Sequence, residues 1–156
     1  MKLYTLRTEQ QLPIPVAEAW DFFSNPANLA AITPPEMGFR VTSQLPAEMY
    51  AGLIVTYRVT PLAGVPVTWV TEITHADAPH RFVDEQRFGP YRFWHHQHEF
   101  REISGGTEMR DLVHYALPRA AGPFGRLVNR WIVARQLSTI FTHRHRVLEE
   151  RFGRMP

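Results

Sequence analysis

The sequence contains no cysteine, which excludes disulfide bonds, thiolate metal ligands and cysteine nucleophiles together. It has no apolar run approaching the about 18 residues that a membrane-spanning helix needs, and no signal-peptide pattern near its start. A Gly-x-Ser-x-Gly motif is also missing, which disfavours a serine hydrolase. We therefore expect a soluble protein of the cytoplasm that is not exported.

The composition predicts one ordered domain over residues 1–156. Hydrophobic residues make up 44% and aromatic residues 12% of the chain, enough to build a sizeable core. Charge is uneven, because the segment from Arg119 onward holds eight arginines against only Glu149 and Glu150. We interpret this as the solvated face of a helix, with contact to an anionic membrane surface as the alternative. No nucleic-acid-binding motif accompanies the arginines, so we expect no nucleic acid partner.

The longest periodic segment predicts a helix from about Phe124 to Phe152. Gly122-Pro123 is typical of a helix start, and Gly153 of a helix end. Around its middle the apolar face covers more than half of the circumference, so other elements must enclose it, and a homodimer contact is possible. The apolar stripe recurs at steps of three and four residues and comprises Phe124, Leu127, Val128, Trp131, Ala134, Ser138, Phe141, His145, Leu148 and Phe152.

Strand-like segments precede this helix. A first strand at residues 3–12 is followed by short helices at 16–23 and from Pro26 to about Ala31. Short turns rich in glycine and proline separate the later strands, which predicts an antiparallel sheet. These later strands are predicted at 38–44, 52–60, 66–75, 80–88, 92–102 and 107–117.

This order of elements resembles the helix-grip superfamily, which includes START lipid-transfer domains, Bet v 1 allergens, polyketide cyclases and quinone-binding proteins. The stretch PIPVAEAWDFFSNPANLAAITPP is similar to that superfamily's first helical region. The resemblance implies an α+β fold, in which a curved antiparallel sheet of seven strands wraps around the C-terminal helix and leaves an apolar cavity. The resemblance to a bacterial group of ligand-binding domains rests on Phe82, Asp84, Gly89-Pro90, Trp94, His96, His98, Phe100, Asp111, Tyr115 and Pro118.

Alternation along three strands predicts which side chains face the helix. The charged residues of each strand belong in water, so the opposite set should face inward. Turn lengths then set the register: a loop at Gly89-Pro90-Tyr91 and a four-residue loop at 103–106 place His96 opposite Asp84 and His98 opposite Asp111. We predict two inward His–Asp pairs side by side, rimmed by Trp94, Tyr115 and Gln86.

Three interpretations of this cluster stay open. It can be a satisfied polar network in an ordinary core, the polar floor of a pocket, or a catalytic acid–base group formed by His96 and His98 with Asp84 and Asp111. The His-x-His spacing also suits a metal. Since each Asp is expected to hold one His, we predict no metal ligand and no cofactor.

Our first functional hypothesis is a binding module for a hydrophobic, partly oxygenated small molecule such as a lipid, polyketide or quinone. One alternative is an enzyme of the cyclase or dehydratase kind, and another is a membrane-facing lipid or quinone carrier. Met37 and Met49 flank a loop that we interpret as a surface loop, with a pocket entrance as the alternative. The predicted ligand-binding residues are Trp94, Tyr115, Gln86, Phe82, Phe100, Trp69, Trp131, Phe141 and His145.

Overall fold

The computed structural model describes residues 2–62, 65–117, 127 and 129–155. The helical elements are α1 (Val16–Phe23), the 3-10 helices Pro26–Ile32 and Pro35–Met37, a π-helical turn Asn129–Val133 and α2 (Ala134–Phe152). The strands are β1 (Tyr4–Leu12), β2 (Arg40–Val41), β3 (Ile54–Leu62), β4 (Val65–Asp77), β5 (Arg81–Phe88), β6 (Phe93–Ile103) and β7 (Gly106–Ala116).

The seven strands form one antiparallel sheet, as predicted. Their order in the sheet is β1-β7-β6-β5-β4-β3-β2. The strand predicted at 38–44 is shorter than expected, because β2 holds only Arg40 and Val41. It lies at the sheet edge, and its predicted start is occupied by Gly38, which ends the 3-10 helix Pro35–Met37 at a φ of 52°. At the other end the Thr42 amide still donates to the Thr56 carbonyl (2.8 Å). The residues after it are therefore free to form a loop beside the concave face.

Helix α2 lies against the concave face of the sheet. Its buried residues are Leu137, Phe141, Arg144 and Leu148, spaced by four, three and four positions. The helix ends at Phe152 with Gly153 at a φ of 93°, a conformation that glycine adopts without strain. The predicted start at Phe124, with its Gly122-Pro123 signal, lies outside the described residues. Among the helices that the structure describes, none is both long and apolar enough to cross a bilayer.

The core divides into two hydrophobic clusters. The first lies under α1 and the short helices and includes Phe23, Phe82 and Leu148. The second lies under the start of α2 and includes Trp94 and Phe141. Trp69 packs against both clusters. Between them the concave face of the sheet is left partly uncovered, and the candidate site lies there.

Candidate functional site

A cavity of about 180 Å³ lies between the sheet and α2. A space of about 10–15 Å³ on the same measure holds one water molecule, so this cavity has room for a small organic molecule. Strands β3 to β6 form its floor, and α2 contributes residues from Gln136 to Arg144. Met37 and Met49 also line it. The loop interpreted as a plain surface loop therefore forms part of the cavity wall.

One end of the cavity is polar, and neighbouring strands build it. Asp84 pairs with His96 across β5 and β6, and His98 pairs with Asp111 across β6 and β7. The predicted register is thereby confirmed. His96, His98 and Asp111 are buried, whereas Asp84 keeps part of its side chain exposed and, with both histidines, lines the cavity.

The short hydrogen bonds run diagonally across this predicted pairing. His96 Nε2 lies 2.9 Å from Asp111 Oδ1, and His98 Nε2 lies 2.9 Å from Asp84 Oδ2. The directly opposed contacts are longer: 3.5 Å from His96 Nδ1 to Asp84 Oδ2 and 3.1 Å from His98 Nδ1 to Asp111 Oδ1. The contact from His98 Nδ1 to Asp111 is close but poorly aligned, and this nitrogen has no hydrogen-bond partner among the residues that the structure describes. The two His–Asp pairs lie side by side, but in the short hydrogen bonds their partners are exchanged relative to the prediction. The two imidazole rings lie together, with centroids 3.7 Å apart, between both carboxylates.

Arg144 adds a positive charge that we did not predict at this site. Its Nη1 lies 3.3 Å from Asp111 Oδ1, and its guanidinium packs over the rings of Phe23 and Phe141. The residue is 6% exposed and lines the cavity. The sequence did carry a signal for it, since Arg144 is three positions after Phe141 and four before Leu148, on the buried face of α2.

The charged groups of this cluster shift the pKa values of its two carboxyl groups and two imidazoles. Burial alone would raise the pKa of Asp111, but Arg144, the hydrogen bond from His96 and the close contact with His98 hold it well below its ordinary value. The pKa of Asp84 is also lowered, because the contacts with His98 and His96 outweigh burial. Burial and the neighbouring His98 lower the pKa of His96, whereas contacts with both carboxylates raise the pKa of His98 despite its burial. The pKa values of two adjacent imidazoles are therefore shifted in opposite directions.

Two tyrosines join the cavity wall without having been predicted there. Tyr57 comes from β3, and Tyr91 from the loop between β5 and β6. Burial raises the pKa of Tyr57, and the negative charge of Asp84 raises it further. Burial likewise raises the pKa of Tyr91, with a smaller effect from Tyr115. Both phenols therefore stay protonated and can donate a hydrogen bond.

Of the nine predicted ligand-binding residues, the cavity wall includes Phe82, Trp69, Trp94 and Phe141. The Trp94 and Trp69 rings meet edge to face, with centroids 5.2 Å apart. The Phe82 ring stacks on the His98 imidazole at 4.0 Å. These rings surround the polar end and limit its contact with water.

The other predicted residues lie away from the cavity. The Tyr115 hydroxyl donates to Asn129 Oδ1 (2.9 Å). Both ends of the Gln86 amide bond to the backbone of Tyr91. Phe100 is buried in the first cluster, and Trp131 is 52% exposed on the surface. His145 Nε2 contacts the Glu9 carbonyl oxygen (3.0 Å) and ties α2 to β1. These five residues do not line the cavity, and the polar groups of Tyr115, Gln86 and His145 have partners elsewhere.

Solved structures with the same architecture define the class of fold. Protein Ms6760 from Mycobacterium smegmatis is 22% identical, with a TM-score of 0.66, over 97% of this chain and 98% of that one. The di-domain ARO/CYC BexL from the BE-7585A biosynthetic pathway is 19% identical, with a TM-score of 0.73, over 99% of this chain and 51% of BexL, so this chain spans about half of BexL. Ara h 8.0201 is 14% identical, with a TM-score of 0.60, over 96% of this chain and 99% of that one. The chain has the helix-grip fold, and the resemblance seen in the sequence is confirmed at that level.

Within this class, residues 32–152 match the family described as Domain of unknown function (DUF8410). The chain belongs to that family. No curated protein matches the sequence. The function therefore has to be argued from the cavity and its polar end.

Proposed function

We propose that the protein binds a hydrophobic small molecule that carries oxygen at one end. The observation that supports this most directly is the cavity itself, which is mostly apolar and has Asp84, His96 and His98 clustered in its wall. Such an arrangement is typical of small-molecule sites, where apolar walls supply affinity and a few polar groups fix orientation.

The apolar part of the cavity favours a ring-containing or branched hydrocarbon body. Trp69, Trp94, Phe82 and Phe141 present aromatic surface, and Ile140 adds aliphatic surface. Each Å² of apolar ligand surface removed from water contributes about 25 cal/mol, so the walls favour a body that fills the space over a polar one.

The polar end can bind both a hydroxyl and a carbonyl group. Because the pKa of Asp84 is lowered, its carboxylate is ionised and accepts a hydrogen bond from a ligand hydroxyl. Tyr57 and Tyr91 stay protonated and donate to a ligand carbonyl. A partly oxygenated ligand of the polyketide, quinone or lipid kind has groups that can donate to Asp84 and accept from the tyrosines.

Native mass spectrometry of the protein purified from cells tests this proposal. We expect an extra mass that is absent after denaturation and is lost in Thr71→Phe, because Thr71 lines the cavity and is 4% exposed. Thr68→Phe makes the same change at an exposed position of the same strand and should keep the extra mass. An extra mass retained equally by both variants would place the ligand outside the cavity. Folded wild-type protein that retains no ligand from cells and binds none from a lipid, quinone and polyketide extract would overturn the proposal.

A second candidate function is acid–base catalysis on the bound molecule, as in a cyclase or dehydratase. The observation that favours it is the pair of imidazoles at van der Waals distance on the cavity wall, each held by a carboxylate. In D₂O, an enzyme of this kind should exchange carbon-bound hydrogen of its ligand for deuterium, and His98→Asn should stop the exchange. A ligand recovered without deuterium from the wild-type protein would exclude this function.

A further inference from the structure

We propose that Asp84, His96 and His98 bind one divalent transition-metal ion, such as zinc or iron(II), at the polar end of the cavity. The proposal goes beyond binding of an organic ligand and does not depend on it. The sequence favoured no metal, on the ground that each Asp would hold one His. In the structure, however, Asp84 Oδ2 lies near a nitrogen of both rings, so Asp84 is placed as a third donor and only Asp111 lies behind them.

The geometry of the three donor groups suits a metal ion. Their ligand atoms all lie within 4.8 Å of one another. One oxygen, Asp84 Oδ2, lies 2.9 Å from His98 Nε2 and 3.5 Å from His96 Nδ1. Donor atoms bound at about 2.0–2.1 Å in tetrahedral or octahedral geometry are separated by roughly 3.0–3.4 Å. An ion therefore fits among the three atoms after only small movements of the side chains.

In the part of the chain that the structure describes, the hydrogen bonds of the two rings leave the Nδ1 atoms of His96 and His98 without a proton to donate or a donor to accept from. A bound ion would explain both. A neutral imidazole has one N–H, and the short contacts assign it to Nε2 in both rings. The Nδ1 lone pair of His96 then faces the Asp84 carboxylate without a proton between them. Nδ1 of His98 is buried without a hydrogen-bond partner, although Asp111 Oδ1 is 3.1 Å away. An ion on His98 Nε2 moves the ring's N–H to Nδ1, where a small rotation directs it at Asp111.

Asp111 then lies on the side of the two metal-binding imidazoles that faces away from the ion. It would accept a hydrogen bond from His96 Nε2 (2.9 Å) and from His98 Nδ1. Metal-binding histidines commonly donate their second N–H to a carboxylate, which fixes the tautomer and the ring orientation. Arg144 balances the charge of Asp111. The Asp111 carboxylate therefore already has a cationic partner, whereas Asp84 is available to bind the ion.

Two imidazoles and one carboxylate are a ligand set that zinc and iron(II) accept. All three residues line the cavity, so the remaining coordination positions face the space available to a ligand. An oxygen atom of a bound molecule or a water can occupy them. The site is therefore of the open kind and not of the closed, structural kind.

Titration of the chelator-treated protein with Zn²⁺ alone, followed by calorimetry, tests the proposal. We expect one ion per chain and at least a 10-fold weaker affinity in His98→Gln and in Asp84→Asn. Asp111→Asn should weaken binding by about 10- to 100-fold, as loss of a carboxylate behind a ligand does. The matched control is His95→Ala with His114→Ala, which removes the histidine pair on the outer face of the sheet, where the ring centroids are 6.3 Å apart. Its affinity should equal that of the wild type.

Zinc X-ray absorption on the wild-type protein keeps the test valid if the site variants do not fold. The expected first shell holds two imidazole nitrogens and oxygen donors at about 2.0–2.1 Å. Absence of binding to the wild type, a shell without two imidazoles, or loss of binding in the outer-face control would each overturn the proposal. Because the titration contains zinc and no organic ligand, its result does not depend on whether the proposal of an organic ligand is correct.

Discussion

Replacing Arg144 with methionine tests how the polar end of the cavity is stabilised. Methionine retains much of the packing over Phe23 and Phe141 but removes the guanidinium that lies 3.3 Å from Asp111. Asp111 is 2% exposed, so its charge would stay buried. Removing one partner of a buried ion pair costs about 3–5 kcal/mol of folding free energy. Because both histidines still contact the carboxylate, we expect the lower value, about 3 kcal/mol.

Urea unfolding followed by circular dichroism measures this free energy. The matched control is Arg146→Met, which removes an exposed arginine whose Nη1 lies 2.8 Å from Glu150 and should change stability by less than about 0.5 kcal/mol. Adding Asp111→Asn to Arg144→Met removes the unbalanced charge and should recover about 0.5–3 kcal/mol relative to additivity. A loss in Arg144→Met no larger than in the control would refute the reasoning, since it would mean that the histidines alone neutralise Asp111.

Two further predictions concern the fold around the cavity. Leu148 is 0% exposed, so Leu148→Ala should lower the free energy of unfolding by about 2–5 kcal/mol in urea titrations, whereas Leu3→Ala at a 47% exposed position should change it by less than about 0.5 kcal/mol. Tyr115→Phe leaves Asn129 Oδ1 buried without its 2.9 Å hydrogen bond and should cost about 1–3 kcal/mol in the same assay. Unchanged stability in Tyr115→Phe would show that another donor reaches Asn129.

The strand register at the site was predictable because two independent constraints agreed. Alternation fixed which residues face inward, and the expected turns fixed which of them meet. The predicted three-residue loop at 89–91 is not formed, because the β5–β6 pairing already ends at Glu85 and His95, but the register is the predicted one. The turn between β6 and β7 is tighter than predicted, with Ile103 paired to Gly106, yet Trp94 still lies opposite Tyr115. Shortening a hairpin loop by one residue at each end leaves the register unchanged, since both strands gain one residue and the sheet gains one pair.

The diagonal hydrogen bonds were not predictable from the sequence. Directly opposed residues and their diagonal neighbours are both within reach of side chains as long as histidine. Which contact forms depends on side-chain torsions, and here the His96 and His98 rings lie with centroids 3.7 Å apart and their planes tilted by 35°. Sequence alternation contains no information on that rotation.

The burial of Arg144 is the opposite case, because its helical spacing indicated a buried position but the arginine-rich composition of the segment was given more weight. The eight arginines of the C-terminal segment were treated as one solvated surface. Helical spacing from Phe141 and Leu148 already placed Arg144 on the buried face. A charge at a buried helical position requires a partner of opposite sign. Asp84 and Asp111 were both predicted to face inward, so joining the two inferences would have indicated that Arg144 pairs with one of these carboxylates.

The position of the cavity explains how a binding site and a stable core coexist in one small domain. The first and second clusters pack on either side of it, and Trp69 contacts both. Each cluster buries its own residues whether or not the space between them is filled. A molecule that fills the space gains contacts with both clusters, so its binding free energy adds to the stability of the whole fold. At a free concentration 100 times the Kd this amounts to about 2.7 kcal/mol, which in a domain of this size corresponds to a rise in Tm of roughly 5–11 °C. Thermal shift therefore ranks candidate ligands independently of any reaction they undergo.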